Sequence, residues 1–300
     1  MMIICDKDLT APLEFNENLS AELGVEFFVQ RDDLLPFPLA GNKVRKLSAE
    51  LGSLVEVPEI VITNGGIDSN HCRTLALFAA QLGVRAHLVL HGDRSVKSTG
   101  GSLRMLKELG ATIVVVPPEN IGLEIAAATE TARRHGLRVH MIPGGCHSRA
   151  GAQAYAEVGA QVLATLRPDW LFVASGTGAT HGGLAAAAAR LGAQTRVVGI
   201  SVARKRERGL PAVVEAASWA GAPEALIEFD DRFRAEGYGC SNEETRNAVQ
   251  RAWKHGLPLD ETYTGKAFAG LLSYLRSGAV RGRVLFWHTG GLWNYLSGNL

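Results

Sequence analysis

Trp170-Leu171-Phe172-Val173-Ala174-Ser175-Gly176-Thr177-Gly178-Ala179-Thr180-His181-Gly182-Gly183 passes from an unbroken apolar run through glycine-spaced residues into the small-residue stretch Ala185 to Ala189. Apolar residues without polar alternation mark a strand covered on both faces, and glycines at its end give the turn that leads into a helix. The same unit repeats in both directions. Strands are expected at 59–64, 85–91, 111–117, 138–142, 170–174, 195–201 and 283–287, and helices at 70–82, 101–109, 123–135, 150–166, 182–191, 242–255 and 265–276. Glycine stands just past several helix ends, as in Leu109-Gly110, His135-Gly136 and Leu191-Gly192, where a left-handed residue closes the last turn. The alanine run reads as a helix packed closely against a sheet. This βαβα order predicts an α/β protein of two doubly wound open sheets, a smaller unit at 48–145 and a larger one at 146–300 joined by residues 1–47.

The chain has 300 residues, 46% of them hydrophobic and 20% charged, which excludes disordered and fibrous architectures. Lys plus Arg number 31 and Asp plus Glu 30, so the formal net charge of +1 gives no electrostatic reason to bind nucleic acid or an anionic membrane. Cys5, Cys72, Cys146 and Cys240 are scattered singly, which suits a reducing cytoplasm better than a disulfide framework or a metal knuckle. Met1-Met2-Ile3-Ile4-Cys5-Asp6-Lys7-Asp8 lacks the basic start and apolar run of a signal peptide, and no uncharged apolar stretch reaches the ~18 residues of a membrane span. The 34 glycines exceed the usual share of about 7%. They imply many tight turns.

Three segments carry chemistry. Ala40-Gly41-Asn42-Lys43-Val44-Arg45-Lys46-Leu47 sets two lysines three residues apart at the start of a helix, where they share one face. A second cation and a helix N-terminus lower the basicity of an amine, as imine formation requires, and leave the other lysine to hold an anion. The spacing also suits a solvated basic first turn. Asn64-Gly65-Gly66-Ile67-Asp68-Ser69-Asn70-His71 follows a strand with a glycine pair, a hydroxyl and an amide. Such a segment lets a ligand approach the backbone, or is a plain loop capped by Ser69 or Asn70. In Ser175 to Gly183, Thr177, Thr180 and the N–H groups of the next helix can cradle one phosphate; a ligand-free turn is the other reading. No Gly-Lys-Ser/Thr follows, and the full spacing and acidic residue of a dinucleotide site are missing, which disfavours NAD.

Together these motifs resemble the fold-type II pyridoxal-phosphate enzymes (tryptophan synthase β-like), in the family of 1-aminocyclopropane-1-carboxylate deaminase and D-cysteine desulfhydrase. The resemblance runs from Arg31-Asp32-Asp33 to His288-Thr289-Gly290-Gly291. It implies a homodimer with pyridoxal 5'-phosphate in a cleft between the two domains. It further implies that Lys43 carries the cofactor as an imine, that Lys46 lies near its phosphate, and that Asn70 bonds the ring hydroxyl. Ser69 would face the substrate carboxylate and reacting carbon, and Gly176, Thr177, Gly178, Ala179 and Thr180 would cradle the phosphate. Tyr238 and Tyr263, otherwise ordinary half-buried tyrosines, match a pair that lines the substrate pocket. His71, Thr264 and Thr289 look like the D-cysteine desulfhydrase branch, where the last threonine partners the ring nitrogen; the deaminase has glutamine, glutamate and leucine there.

A threonine hydroxyl at the ring nitrogen can only hydrogen-bond, which favours prompt loss of a β-substituent. The activity implied is therefore α,β-elimination from a small amino acid resembling D-cysteine, giving pyruvate and ammonia, with Lys43 or a polarised tyrosine as base and Tyr263 assisting proton transfer. Rivals are β-replacement through the same intermediate, opening of aminocyclopropane carboxylate, and a catalytically idle ligand-binding protein. Ala40, Asp68 and Leu292-Trp293-Asn294-Tyr295 depart from the family's usual residues, and Trp287 and Trp293 could reshape the pocket. No metal is expected: His71-Cys72 and Cys146-His147 are adjacent pairs without convergent spacing. Arg204 to Arg208 reads as a solvated basic loop.

Overall fold

The computed structural model describes residues 9–92 and 101–297; Cys5 and the N-terminal stretch read above for a targeting signal lie outside them. The larger sheet has the order β1 (Leu13–Phe15), β2 (Glu26–Arg31), β10 (Arg283–His288), β7 (Trp170–Ser175), β8 (Arg196–Ser201), β9 (Glu228–Asp230). All its pairings are parallel except β1 on β2. The smaller sheet is parallel throughout, in the order β5 (Thr112–Val115), β4 (Arg85–His91), β3 (Ile60–Gly66), β6 (Val139–Met141).

The apolar run of β7 is covered on both faces. Phe172 packs with Phe268 and Phe286 in one core, while Leu171 and Val173 join Tyr155 and Leu184 in another. Each large side chain buried in this way contributes about 1.5–3 kcal/mol. The expected strands and helices are all present with small shifts of their ends. β1, β2, β9 and the helices α1 (Glu17–Leu23), α8 (Arg206–Trp219) and α11 (Leu292–Ser297) have no counterpart among the runs identified above, because they are short or interrupted by polar residues, glycine or proline.

Two readings are corrected. Helix α7 (Ala179–Arg190) begins three residues before Gly182, and its small residues serve neighbouring helices as well as the sheet. A Cβ on Gly183 would lie 2.4 Å from the Ala152 carbonyl oxygen of α6 (Arg149–Leu166), and one on Gly182 2.5 Å from that of Val213 in α8 (Arg206–Trp219). The basic run is no free loop either. Arg206 to Arg208 form the first turn of α8, the Arg206 N–H is capped by Asp231, and Arg204 donates to the Thr177 carbonyl at 3.3 Å.

Helix α2 (Asn42–Gly52) joins the two sheets. Its Val44, Leu47 and Leu51 lie in the core beneath the smaller sheet, with Val61, Leu75 and Leu88. Its N-terminus is pinned to the larger sheet: Gly41 forms an antiparallel bridge with Gly290, and the Asn42 N–H donates to the Thr289 carbonyl at 3.0 Å. A side chain at position 41 would place its Cβ 2.8 Å from that carbonyl oxygen. Only glycine allows the approach, and at φ +144° only glycine adopts the backbone readily.

Candidate active site

The carboxyl ends of β3, β7 and β10 meet at one cleft, where ligands of open α/β sheets bind. Asn42, Lys43, Lys46, Asn70, Gly176, Thr177, Gly178, Thr180, Tyr263 and Thr289 line it. Ser69, Ala179 and Tyr238 are not on this wall. Ser69 accepts the Cys72 N–H and caps α3 (Asn70–Leu82); Ala179 opens α7; Tyr238 reaches the cleft through a 2.6 Å hydroxyl contact with Tyr263.

Lys43 and Lys46 stand on one face of the first turns of α2. Burial, with Lys46 beside it, holds the Lys43 amine well below the ordinary lysine range, and burial lowers Lys46 to about 8. Lys43 Nζ donates to Asn42 Oδ1 at 3.1 Å and Lys46 Nζ to the Gly145 carbonyl at 2.6 Å. The pair's proton is therefore biased toward Lys46, which favours Lys43 as the nucleophile.

Across the cleft, the turn after β7 opens α7 without a side-chain cap, so the first N–H groups of that helix point outward with no intrahelical acceptor. Gly178 has φ +110°, and a Cβ there would sit 3.0 Å from the Ala212 backbone. Asn42 Nδ2 donates to Thr180 Oγ1 at 3.1 Å and ties the lysine helix to this turn.

The remaining wall is built by buried groups that act through others. The Arg73 guanidinium is 2% exposed; it donates to Ser102 Oγ at 2.6 Å and to the side-chain oxygens of Asn70 and Asn294. Asn70 thus keeps its Nδ2 donor for the cleft. Burial, reinforced by the neighbouring Tyr238, raises Tyr263 well above the usual phenol range, and burial pushes Tyr238 up to about 12. Both hydroxyls keep their protons at neutral pH.

Sequence reasoning missed two residues that position these tyrosines. The Asp260 carboxylate accepts the N–H groups of Thr262, Tyr263 and Thr264 at 2.9–3.0 Å, which caps α10 (Thr264–Arg276) and fixes Tyr263. Lys266, with no solvent exposure, donates to the carbonyls of Val202, Arg234 and Gly237, and so holds the segment that carries Tyr238. An acidic residue four positions before Thr264 was the available signal for the first; nothing local announces the second. Cys72, Cys146 and Cys240 are unpaired, and among the described residues no three His, Cys, Asp or Glu side chains converge on a metal position. No described helix is long and apolar enough to cross a membrane.

The sequence profile of the family described as pyridoxal-phosphate dependent enzymes matches residues 7–290. The chain is 35% identical to the D-cysteine desulfhydrase of Yersinia enterocolitica over 93% of its own length and 91% of that protein. A crystal structure of an ACC deaminase homologue superposes with a TM-score of 0.86 at 30% identity, covering 95% of this chain and 91% of that one. A threonine deaminase from Solanum lycopersicum shares the fold at a TM-score of 0.69 and 18% identity, covering 94% of this chain and 79% of that one. The two parallel sheets, the cleft at their carboxyl ends and these similarities carry one conclusion: the chain belongs to the fold-type II pyridoxal-phosphate dependent enzymes, in the family of D-cysteine desulfhydrase and 1-aminocyclopropane-1-carboxylate deaminase.

Proposed function

We propose that this protein removes the β-substituent of a small amino acid of the D-cysteine type, releasing pyruvate, ammonia and the leaving group. The observation that carries the reading is the placement of the Lys43 amine in the cleft, its basicity lowered by burial and by Lys46, between an anion cradle and a tyrosine pair that keeps its protons. The cleft fits pyridoxal phosphate: a cationic lysine, outward N–H groups and two threonine hydroxyls suit a phosphate dianion, on a turn whose Gly178 backs closely onto α8. When bound, the cofactor supplies the electron sink that lets a Cα–H bond break.

The chain's own residues do the rest. Lys46 and the turn at Gly176 to Thr180 would hold the phosphate, Asn70 Nδ2 would donate to the ring hydroxyl, and the Thr289 hydroxyl would bond the ring nitrogen without charging it. Ser69 and the first N–H groups of α3 orient the substrate carboxylate. The Lys43 amine takes the Cα proton, and Tyr263, held by Tyr238, donates its proton toward the leaving group. In Tyr263→Phe, kcat falls by about 10²–10⁴-fold while the visible absorbance of the bound cofactor stays, as steady-state assay and spectrum together will show.

An assay for keto acid and ammonia over D- and L-cysteine, D-serine, β-chloroalanine and aminocyclopropane carboxylate, with and without added thiol, tests the substrate. Pyruvate from D-cysteine and β-chloroalanine is the expected result. Release of 2-oxobutyrate from the cyclopropane, or a new thioether amino acid when thiol is present, would overturn it.

The proposal extends to organisation: a larger cofactor domain of residues 1–47 and 146–300, a smaller domain of 48–145, and a homodimer in a reducing cytoplasm. Support comes from the two separate sheets and the unpaired thiols of Cys72 and Cys146, both buried. Sedimentation of the purified protein reads the dimer directly.

A further inference from the structure

Lys266, in the first turn of α10, has no solvent exposure, and its amine is surrounded by backbone instead of counter-charge. Nζ donates to the carbonyls of Val202 at 2.8 Å, Arg234 at 2.9 Å and Gly237 at 2.8 Å. Only the protonated amine has three N–H bonds to give, so the geometry itself fixes the charge. Burial lowers the group to about 8, which still leaves the cation in place at neutral pH. None of the three acceptors is a carboxylate.

A buried ammonium is usually matched by an acid or loses its proton. Here the backbone bends to supply oxygen. Ala235, which lies between two of the carbonyls, has φ +54°, a left-handed conformation that is strained for a residue with a side chain, and Gly237 has φ +143°. The third carbonyl belongs to Val202, just past β8, whose N–H donates to the Ser175 carbonyl at the end of β7 at 3.0 Å. Convergent backbone carbonyls around one compact charge are the surroundings in which proteins hold a dehydrated potassium ion, and a lysine ammonium is a point charge of similar kind.

We propose that the Lys266 ammonium is a built-in monovalent cation: it fills a carbonyl-lined ion position, holds residues 234–237 in their strained form, and so sets Tyr238 against Tyr263 without a metal ion from solution. Lys266 is a positioning residue, acting on the cleft through Tyr238, whose hydroxyl lies 2.6 Å from that of Tyr263. Removing its side chain uncovers a site for potassium or ammonium. The ion position stands on geometry alone, while its effect on rate rests on the reading of Tyr263 as proton donor.

Lys266→Ala opens the place of the ammonium, whereas Lys266→Met fills it with an uncharged chain. Both are compared with the unaltered enzyme, full-length and cofactor-loaded, in chloride salts of potassium, ammonium or tetramethylammonium at equal ionic strength, the last being too large for the position. In tetramethylammonium, kcat of both variants should fall by about 10²-fold with KM little changed, the effect of a displaced proton donor. Potassium or ammonium should then raise kcat of Lys266→Ala by about tenfold or more and its Tm by roughly 2–4 °C, as an ion bound only by the folded state does. Lys266→Met should not respond, and the unaltered enzyme should behave alike in all three salts. An unaltered enzyme that needs potassium would overturn the proposal even if neither variant folds. So would a Lys266→Ala protein whose Tm ignores potassium, or an equal response in Lys266→Met. A Tm that rises with potassium while kcat stays low would refute the service to the tyrosine pair. Failure of the substrate reading shows instead as no turnover by the unaltered enzyme, and leaves the Tm comparison intact.

Discussion

Lys43→Ala will yield a colourless protein: the absorbance at ~410–430 nm, where a lysine-bound cofactor absorbs, will be absent, and kcat for pyruvate release will fall by more than about 10³-fold. Two losses compound, since the same amine attaches the cofactor and takes the Cα proton. The fold should survive. Lys43 lies at the cleft, and its removal relieves the repulsion that depresses it beside Lys46. Lys46→Ala separates the assignments, because it should keep the colour and weaken cofactor retention. A yellow Lys43→Ala protein would move the attachment to Lys46 and sink the reading of α2.

Asp32→Ala should be the most damaging single change outside the cleft, costing about 3–5 kcal/mol and lowering Tm by roughly 10 °C. The Asp32 carboxylate has no solvent exposure and joins three separate elements. It accepts from Arg45 Nη2 at 3.0 Å, Tyr155 OH at 2.5 Å and Trp287 Nε1 at 2.8 Å. These donors stand on α2, α6 and β10 respectively. Alanine would leave the Arg45 guanidinium buried with no counter-charge and two aromatic donors without an acceptor. Thermal unfolding of Asp32→Ala/Arg45→Met should recover a large part of the loss, since removing both members of a buried pair is tolerated better than removing one. A double variant no more stable than the single one would show that the arginine's charge is not the source of the cost.

The fold was legible wherever the chain marks both ends of an element. Helix α3 spans Asn70–Leu82 as expected because Ser69 caps its start and Gly83, at φ +69°, closes its end. Helix α8 escaped notice because glycine and proline interrupt it and its first turn is basic. It forms because Gly209 admits the Phe229 ring, to within 2.1 Å of where a Cβ would stand. That is a tertiary cause, invisible to any window of local sequence. The same division holds at the site. Lys43, Asn70 and the Gly176 to Thr180 turn stood out because each lies in a distinctive local run, and the structure brings those runs to one cleft. Lys266 and Arg73 did not, because they act on oxygens supplied by distant parts of the chain, while Asp260 caps its own neighbours and offered only its spacing from Thr264 as a signal.

The central place of β10 has a consequence for biosynthesis. The strand is drawn from residues 283–288, yet it lies between β2 and β7 and is the link that joins the N-terminal hairpin to the rest of the larger sheet. A ribosome-bound chain can complete the smaller sheet once residue 141 has emerged, but its larger sheet lacks a middle until residues 283–288 have followed. Lys43 acquires its final setting at the same moment, when Gly290 arrives against Gly41. The setting of Lys43 therefore waits on residues 283–290, long after its own helix has been made.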